Sequence, residues 1–129
     1  MAPISVTLAP RDPPAAVVAL VGEHDAYSSQ RLESELAMLQ DEGRHIVVDL
    51  RDTGFIDSTT LGVLLTARQR AEKTSLGFAL VVPSNGYSQA RHILDLTGLG
   101  GSFAIFGKFD EALTAARAGR AAGRPSKAA

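Results

Sequence analysis

The chain has 129 residues, of which 45% are hydrophobic, and its 13 basic and 14 acidic residues give a formal net charge of −1. This length and composition fit one globular domain, and a charge near zero lacks the basic excess typical of proteins that bind DNA or RNA. No cysteine is present, which excludes a disulfide framework and a cysteine-ligated zinc site. No apolar run approaches the roughly 20 residues of a membrane span, and the N-terminus lacks the features of a signal peptide. We therefore expect a cytoplasmic protein with no membrane span and no direct contact with nucleic acid.

The first third of the chain predicts two strands and a helix. Residues 4–8 alternate between apolar and polar side chains, and residues 15–21 are nearly all apolar, so each segment predicts a strand. Residues 22–25 are polar, and residues 27–41 carry an apolar stripe at helical spacing. The two strands are joined by a short turn that contains proline, so we expect them to pair antiparallel. The polar segment predicts a loop, and Ser28 or Ser29 can cap the helix that follows it.

The middle of the chain has a strand–turn–helix pattern. An apolar, β-branched run at residues 46–50 predicts a buried strand, and a polar turn follows it at 51–54. A helix then begins where Asp57 or Ser58 can accept backbone N–H groups, and leucines recur behind it at helical spacing. The pattern therefore predicts a raised hydroxyl pair, Ser58 and Thr59, at the positive end of a helix.

Helices and strands continue to alternate in the second half of the chain. The predicted elements there are a helix to about residue 74, a strand at 77–82, a helix at 88–96, a strand at 103–106, and a helix at 110–118 with Asp110 as its natural N-cap. The order ββαβαβαβα predicts an α/β fold with a mixed, mostly parallel sheet of about five strands and about four helices. We assign residues 1–118 to this domain and the small, basic residues 119–129 to a disordered tail.

The nine residues DSTTLGVLL, which begin at Asp57 after the predicted buried strand and its turn, resemble the motif of the STAS domain, the fold of bacterial anti-sigma-factor antagonists. Two more segments, GEHDAYSSQRLESEL and ARHILDLTGLGGSFAIFGKFDEAL, resemble the family's Gly-Glu-x-Asp loop with its first helix and the family's closing segment. The resemblance covers roughly residues 4–117 and implies the STAS fold, which has the element order predicted above. One position departs from the pattern, because the family usually has glycine where this chain has Thr60.

In that family the serine that follows the aspartate is the phosphorylation switch, which in this chain is Ser58. The resemblance implies an anti-sigma factor antagonist that, unphosphorylated, binds an anti-sigma factor that is also a serine kinase, and so frees a sigma factor for transcription. The kinase would use ATP and magnesium, and a PP2C-type phosphatase would reset the switch. The protein itself would be a substrate rather than an enzyme and would need no cofactor. The expected partner-binding residues are Asp25, Asp57, Ser58, Thr59, Thr60 and Leu61.

Several alternatives stay open on the sequence alone. Ser58 could serve only as a helix cap, and Asp57 could either cap the helix or orient Ser58 for attack on the γ-phosphate of ATP. Thr59 could be a secondary phosphoacceptor, and Asp25 an ordinary loop aspartate. Thr60 in place of glycine leaves open an unswitched STAS adaptor subunit of a membrane lipid- or anion-transport assembly, or of a sensory complex. A small enzyme built on Asp57 and Ser58 would lack a base and an oxyanion site, and the three histidines lack the spacing of a zinc site.

Overall fold

Apolar, β-branched segments form the strands of an α/β fold in the computed structural model, which describes residues 4–9, 13–98 and 101–122. The strands are β1 (Ile4–Ala9), β2 (Ala15–Leu20), β3 (Gly22–His24), β4 (His45–Asp49), β5 (Thr53–Ile56), β6 (Phe78–Val81) and β7 (Ala104–Phe106). The helices are α1 (Ala26–Asp41), α2 (Ser58–Lys73), α3 (Gln89–Thr97) and α4 (Phe109–Arg117). Every predicted strand and helix is present, with ends close to those predicted.

The main sheet has five strands in the order β1-β2-β4-β6-β7. β1 pairs antiparallel with β2, which places Val6 opposite Val18, and the remaining neighbours in this sheet pair in parallel. A helix lies in the chain between each parallel pair, because strands that run in the same direction need a crossover connection. The antiparallel opening hairpin and the mostly parallel sheet with four helices confirm the predicted fold class.

A second, two-stranded parallel sheet pairs β3 with β5. The prediction is wrong there, because it assigned residues 22–25 to a loop and 51–54 to a turn. Two polar side chains of these segments are hydrogen-bonded inside the protein: the hydroxyl of Thr53 donates to the carbonyl oxygen of Leu20 at 2.8 Å, and the buried ring of His24 pairs with Val21 and Ser28. Each of the two strands depends on a partner that is distant in the sequence, so the local pattern does not indicate it.

Two helices begin differently from the prediction. Asp25, rather than Ser28 or Ser29, caps α1, and its carboxylate accepts the N–H of Ser28 at 3.2 Å. Asp25 is extended (φ −126°) as the chain leaves β3, which is the backbone conformation that an N-cap residue needs. At the start of α4, Lys108 occupies the cap position without a side-chain cap, and Asp110 lies in the first turn, where its charge complements the helix dipole.

Both faces of the main sheet are covered by helices. α1, α2 and α3 cover the face that carries Val48 and Phe78, and α4 covers the face that carries Val47. The approach of α4 to the sheet is close, because a Cβ atom added at Gly77 would overlap the carbonyl oxygen of Ala116. Glycine is therefore required where β6 is about to begin beneath this helix.

Residues 119–122 pack against the main sheet, although the prediction places them in the tail. The carbonyl oxygen of Arg120 accepts the N–H of Phe78 at 2.9 Å, and Ala121 is buried in the core. These residues therefore belong to the packed domain. The rest of the predicted tail, residues 123–129, lies outside the described residues.

Candidate functional site

Ser58 is the first residue of α2, at the point where the chain leaves β5. Asp57 caps this helix: its backbone is extended (φ −98°, ψ −179°) and its side chain accepts the N–H of Thr60 at 2.9 Å. The side chains of Ser58 and Thr59 are exposed. The structure therefore places the hydroxyl pair at the positive end of a helix, and it assigns the cap to the aspartate rather than to Ser58.

Asp25 lies at the same edge because β3 and β5 run in parallel. The paired ends of these strands are His24 and Ile56, and the N–H of Asp57 donates to the carbonyl oxygen of His24 at 3.2 Å. Asp25 and Asp57 follow these ends directly, and each caps the helix that begins after it. The structure thus brings together the two aspartates that the sequence analysis singled out, and it gives both a capping role.

Thr60 and Leu61 differ from the other predicted contact residues because they are buried. The side chain of Thr60 is fully buried, and Leu61 packs into the core between α2 and the main sheet. Their burial argues against direct contact of these two side chains with a partner in the folded domain, and the partner-binding role of the predicted residues stays a prediction. Within the described part of the chain, the hydroxyl of Thr60 has no hydrogen-bond partner. The exposed residues of the predicted surface are Asp25, Ser58 and Thr59.

His24 supports this site from inside the domain. Its Nε2 lies 3.2 Å from the carbonyl oxygen of Val21 and its Nδ1 lies 3.2 Å from the hydroxyl of Ser28. A carbonyl can only accept, so Nε2 carries the proton and donates to Val21. Burial lowers the pKa of His24, because desolvation outweighs the hydrogen bond to Val21 and the charge of Asp25. The sequence gives no signal for this role, because an isolated histidine in a polar segment is typical of a loop.

Gln89 also contacts the site, and sequence reasoning missed it. Its Oε1 accepts the N–H of Ile56 at 2.9 Å, and its Nε2 donates to the carbonyl oxygen of Ile56 at 3.1 Å. The two residues are 33 positions apart, so no local pattern connects them. The first residue of α3 is thereby attached to the last residue of β5, immediately before Asp57 and Ser58.

Within the described ranges, no three His, Cys, Asp or Glu side chains are grouped as a metal site would require. The helices of the same ranges include none that is long and apolar enough to cross a bilayer. The start of α2 presents two exposed hydroxyls beside two carboxylates that cap helices.

A profile of the STAS domain matches residues 7–112, which include every predicted site residue. The chain belongs to the STAS-domain family. The sequence of this STAS domain is also 30% identical over 82 residues to the anti-sigma-B factor antagonist of Bacillus subtilis (strain 168). This alignment covers 64% of the present chain and 72% of that protein. The resemblance stated from the sequence is confirmed.

Solved structures agree with this membership. A crystal structure of an anti-sigma factor antagonist from Mycobacterium paratuberculosis matches the STAS domain described here with a TM-score of 0.71 and 27% identity, covering 89% of this chain and 95% of that one. The Bacillus cell fate determinant SpoIIAA, in its phosphorylated form, matches with a TM-score of 0.62 and 18% identity, covering 85% of this chain and 97% of that one. At 18% identity the second comparison speaks for the fold alone.

Proposed function

We propose that this STAS domain is an anti-sigma factor antagonist that acts as a phosphorylation-switched binding module. Its unphosphorylated form binds an anti-sigma factor that is also a serine kinase, so that a sigma factor is freed for transcription. The kinase transfers a phosphoryl group from ATP, with magnesium, to Ser58, and a PP2C-type phosphatase removes it. In this cytoplasmic cycle the protein is a ligand and a substrate rather than an enzyme.

The observation that carries the proposal is the separation of the helix cap from the exposed hydroxyl. Asp57 supplies the cap by accepting the N–H of Thr60, so the hydroxyl of Ser58 is not needed to begin α2. A serine that served only as a cap would stand one position earlier, at the residue that precedes the helix. Two relatives named as anti-sigma factor antagonists, from Bacillus subtilis and Mycobacterium paratuberculosis, support the same function.

Phosphorylation at this position would act through charge. A phosphoserine carries roughly −1.5 to −2 charges at neutral pH. The helix dipole stabilises an anion here by about 0.3–1 kcal/mol, so the domain stays folded. In an interface shaped for a hydroxyl, the same charge would be desolvated without a partner, which costs several kcal/mol. Because each 1.4 kcal/mol is about a tenfold change in affinity, the modification would release the bound protein.

The substitution of Thr60 for the family's usual glycine is compatible with this switch. Its side chain is fully buried, so the change lies inside the first turn of α2 rather than on the surface that a partner would touch. The alternative function, an unswitched adaptor subunit of a transport or sensory complex, would use the same surface permanently. The two functions therefore differ in whether a negative charge at Ser58 weakens binding of the partner.

A capture experiment with three baits tests the proposal. Wild type, Ser58→Glu and Ser58→Gln are immobilised and incubated with lysate of the host, and retained proteins are identified by mass spectrometry. Glutamine has the size of glutamate without its charge, so Ser58→Gln separates the effect of charge from that of bulk. We expect wild type to retain an ATPase of the histidine-kinase type, Ser58→Glu to lose it, and Ser58→Gln to retain more of it than Ser58→Glu.

The captured ATPase then provides a direct assay. Incubation of wild type with this ATPase and MgATP should place a phosphate on Ser58, located by peptide mass spectrometry, and Ser58→Ala should remain unmodified. Retention of the same partner by wild type and Ser58→Glu, above all a transporter subunit, would contradict the switch and favour the constitutive adaptor. Phosphate on Thr59 alone would contradict the assignment of the acceptor.

A further inference from the structure

β5 has a strand on one side only within the described part of the chain, since the small sheet consists of β3 and β5. In a parallel pair, successive residues direct their backbone groups to opposite sides of the strand. The N–H of Asp57 points to His24 in β3, so the N–H and carbonyl groups of Ile56 point away from β3. Ile56 is fully buried, and backbone groups left unpaired at such a residue would destabilise the fold.

The side chain of Gln89 pairs with the backbone groups of Ile56 on the side of β5 that faces away from β3. A carboxamide presents an acceptor and a donor side by side, as a peptide group does, and Gln89 uses both on Ile56 at 2.9 and 3.1 Å. The position of Gln89 is itself fixed by α3, whose cap residue Ser88 accepts the N–H of Arg91 at 3.2 Å. The start of α3 therefore holds the end of β5 through two hydrogen bonds.

We propose that Gln89 is a positioning residue for Ser58. Ile56 is followed by the cap residue Asp57 and then by Ser58, so the hydrogen bonds that fix the peptide groups of Ile56 also fix where α2 begins. Gln89 acts through Ile56 and Asp57 and does not touch the reacting hydroxyl. The inference rests on the proposed phosphorylation of Ser58, because phosphoryl transfer requires the attacking oxygen to be aligned with the phosphorus atom.

The absence of cysteine from the chain allows a test that needs no kinase. Ser58→Cys introduces a single thiol at the exposed first position of α2, and the pH dependence of its alkylation by iodoacetamide gives the pKa of that thiol. At a helix N-terminus this pKa lies below the ordinary value of about 8.5. Adding Gln89→Leu keeps a side chain of similar size but removes the donor and the acceptor. We expect the thiol pKa to rise by about half a unit or more, since the first turn is no longer held in place.

Gln69→Leu in the same Ser58→Cys background is the matched control. Gln69 is exposed on α2, far along the helix from Ser58, so its replacement should leave the thiol pKa unchanged. Equal thiol pKa values in the Gln89→Leu and Gln69→Leu backgrounds would overturn the proposal.

In the variant Gln89→Glu, a fall in pH should restore both hydrogen bonds to Ile56. The amide resonance of Ile56 in ¹⁵N NMR spectra reports this rescue. A protonated carboxyl can donate to the carbonyl oxygen of Ile56 and accept its N–H, whereas an ionised carboxylate can only accept. The ionised form repels that carbonyl oxygen, so the introduced carboxyl should titrate above its ordinary value of about 4.3. We expect the Ile56 resonance to return towards its wild-type position as the pH falls, with no such titration in Gln89→Leu. If the Ile56 resonance of Gln89→Glu does not titrate, the proposal that Gln89 holds Ile56 through two hydrogen bonds is refuted, even where Gln89→Leu fails to fold.

Kinetics with the captured kinase separate this inference from the proposed function. For phosphorylation of Ser58, Gln89→Leu should lower kcat about tenfold while KM changes less than about twofold, because alignment rather than docking is lost. An unchanged kcat would refute the positioning role while leaving the switch intact. Failure of wild type to be phosphorylated would refute the switch, whatever the thiol measurement shows about the start of α2.

Discussion

His24 makes the stability of the domain depend on pH. Burial lowers the pKa of His24 in the folded chain, whereas the unfolded chain has the ordinary value of about 6.5. The unfolded chain therefore binds a proton first as the pH falls, so the stability contributed by the neutral ring is complete above about pH 6.5 and is lost below it.

We expect His24→Asn to lower the free energy of unfolding at pH 7.5, and to lower it by less at pH 5.5, because wild type loses part of its own stability there. Urea denaturation at the two pH values measures both differences. His92→Asn is the control, since that ring is exposed. An equal loss from His24→Asn at both pH values would contradict the role of the buried neutral ring.

Thr60 carries a buried hydroxyl that has no hydrogen-bond partner within the described residues. Thr60→Val keeps the shape of the side chain and removes the unpaired group, so we expect the free energy of unfolding to rise by about 1 kcal/mol. Urea denaturation measures the change, and Thr59→Val at the exposed neighbouring position should stay within about 0.5 kcal/mol of wild type. A clear loss of stability in Thr60→Val would show that the hydroxyl is satisfied in solution.

Single residues could be predicted from the sequence where their neighbours in the chain decide their role. Asp57 and Ser58 stand between a strand and a helix, and the cap reaches only to Thr60. Gln89 and Ile56 are 33 positions apart, and their contact exists because the fold brings α3 to the end of β5. Such a pair cannot be deduced from hydrophobic periodicity, which reports on one element at a time.

At the scale of elements, α1 depends on its cap residue Asp25, whose carboxylate accepts the N–H groups of Tyr27 and Ser28. Asp25→Ala should lower the free energy of unfolding by about 1 kcal/mol, and Asp25→Asn should retain most of the stability because an amide oxygen also caps. Urea denaturation measures both variants. An equal loss in Asp25→Asn would show that charge rather than capping is the contribution.

The same pair of variants separates capping from partner binding. Asp25→Asn keeps the cap and removes the charge, so binding of the captured ATPase to this variant reports on the charge alone. If this binding equals that of wild type, Asp25 serves the site by positioning α1.

Elements with a local pattern could be predicted and elements without one could not. β2 and β4 are recognised by apolar, β-branched runs, and α1 and α2 by leucines at helical spacing. β3 and β5 have three and four residues, and each is stabilised by the other across the fold. The residues of β3, and Thr53 and Gly54 at the start of β5, are typical of loops, and the apolar pair that ends β5 is too short to indicate a strand. The sheet that positions Ser58 therefore had no clear signal of its own in the sequence.

At the scale of the whole molecule, Gly77 sets how closely α4 approaches the main sheet. A Cβ atom there would overlap the backbone carbonyl of Ala116, which cannot turn aside as a side chain could. We expect Gly77→Ala to lower the free energy of unfolding by about 3 kcal/mol or more.

Gly62→Ala is the matched control for Gly77→Ala. Among the described residues, apart from the chain neighbours and the backbone of α2 itself, no atom lies within 4 Å of a Cβ added at Gly62, so alanine should leave stability unchanged or raise it by up to about 1 kcal/mol. Thermal and urea denaturation compare the two variants. Similar effects from both would show that α4 can move away from the sheet at little cost.

The overall topology could be predicted because alternating strands and helices allow few arrangements of a sheet. The packing of residues 119–122 could not, because small and basic residues are also typical of tails, and Ala121 is buried only by virtue of its neighbours in space. Composition alone therefore places the end of the domain too early.

The hydrogen bond between Phe78 and Arg120 also bears on how the protein is made. Ribosomes release a chain from its N-terminus, so β6 emerges well before the residue whose carbonyl pairs with its first N–H. This hydrogen bond and the burial of Ala121 can therefore form only after residue 121 has been synthesised. A product interrupted within α4 would leave the N–H of Phe78 without this partner and the core without Ala121, so we expect it to be less stable and more readily cleaved by proteases than the domain that includes residues 119–122.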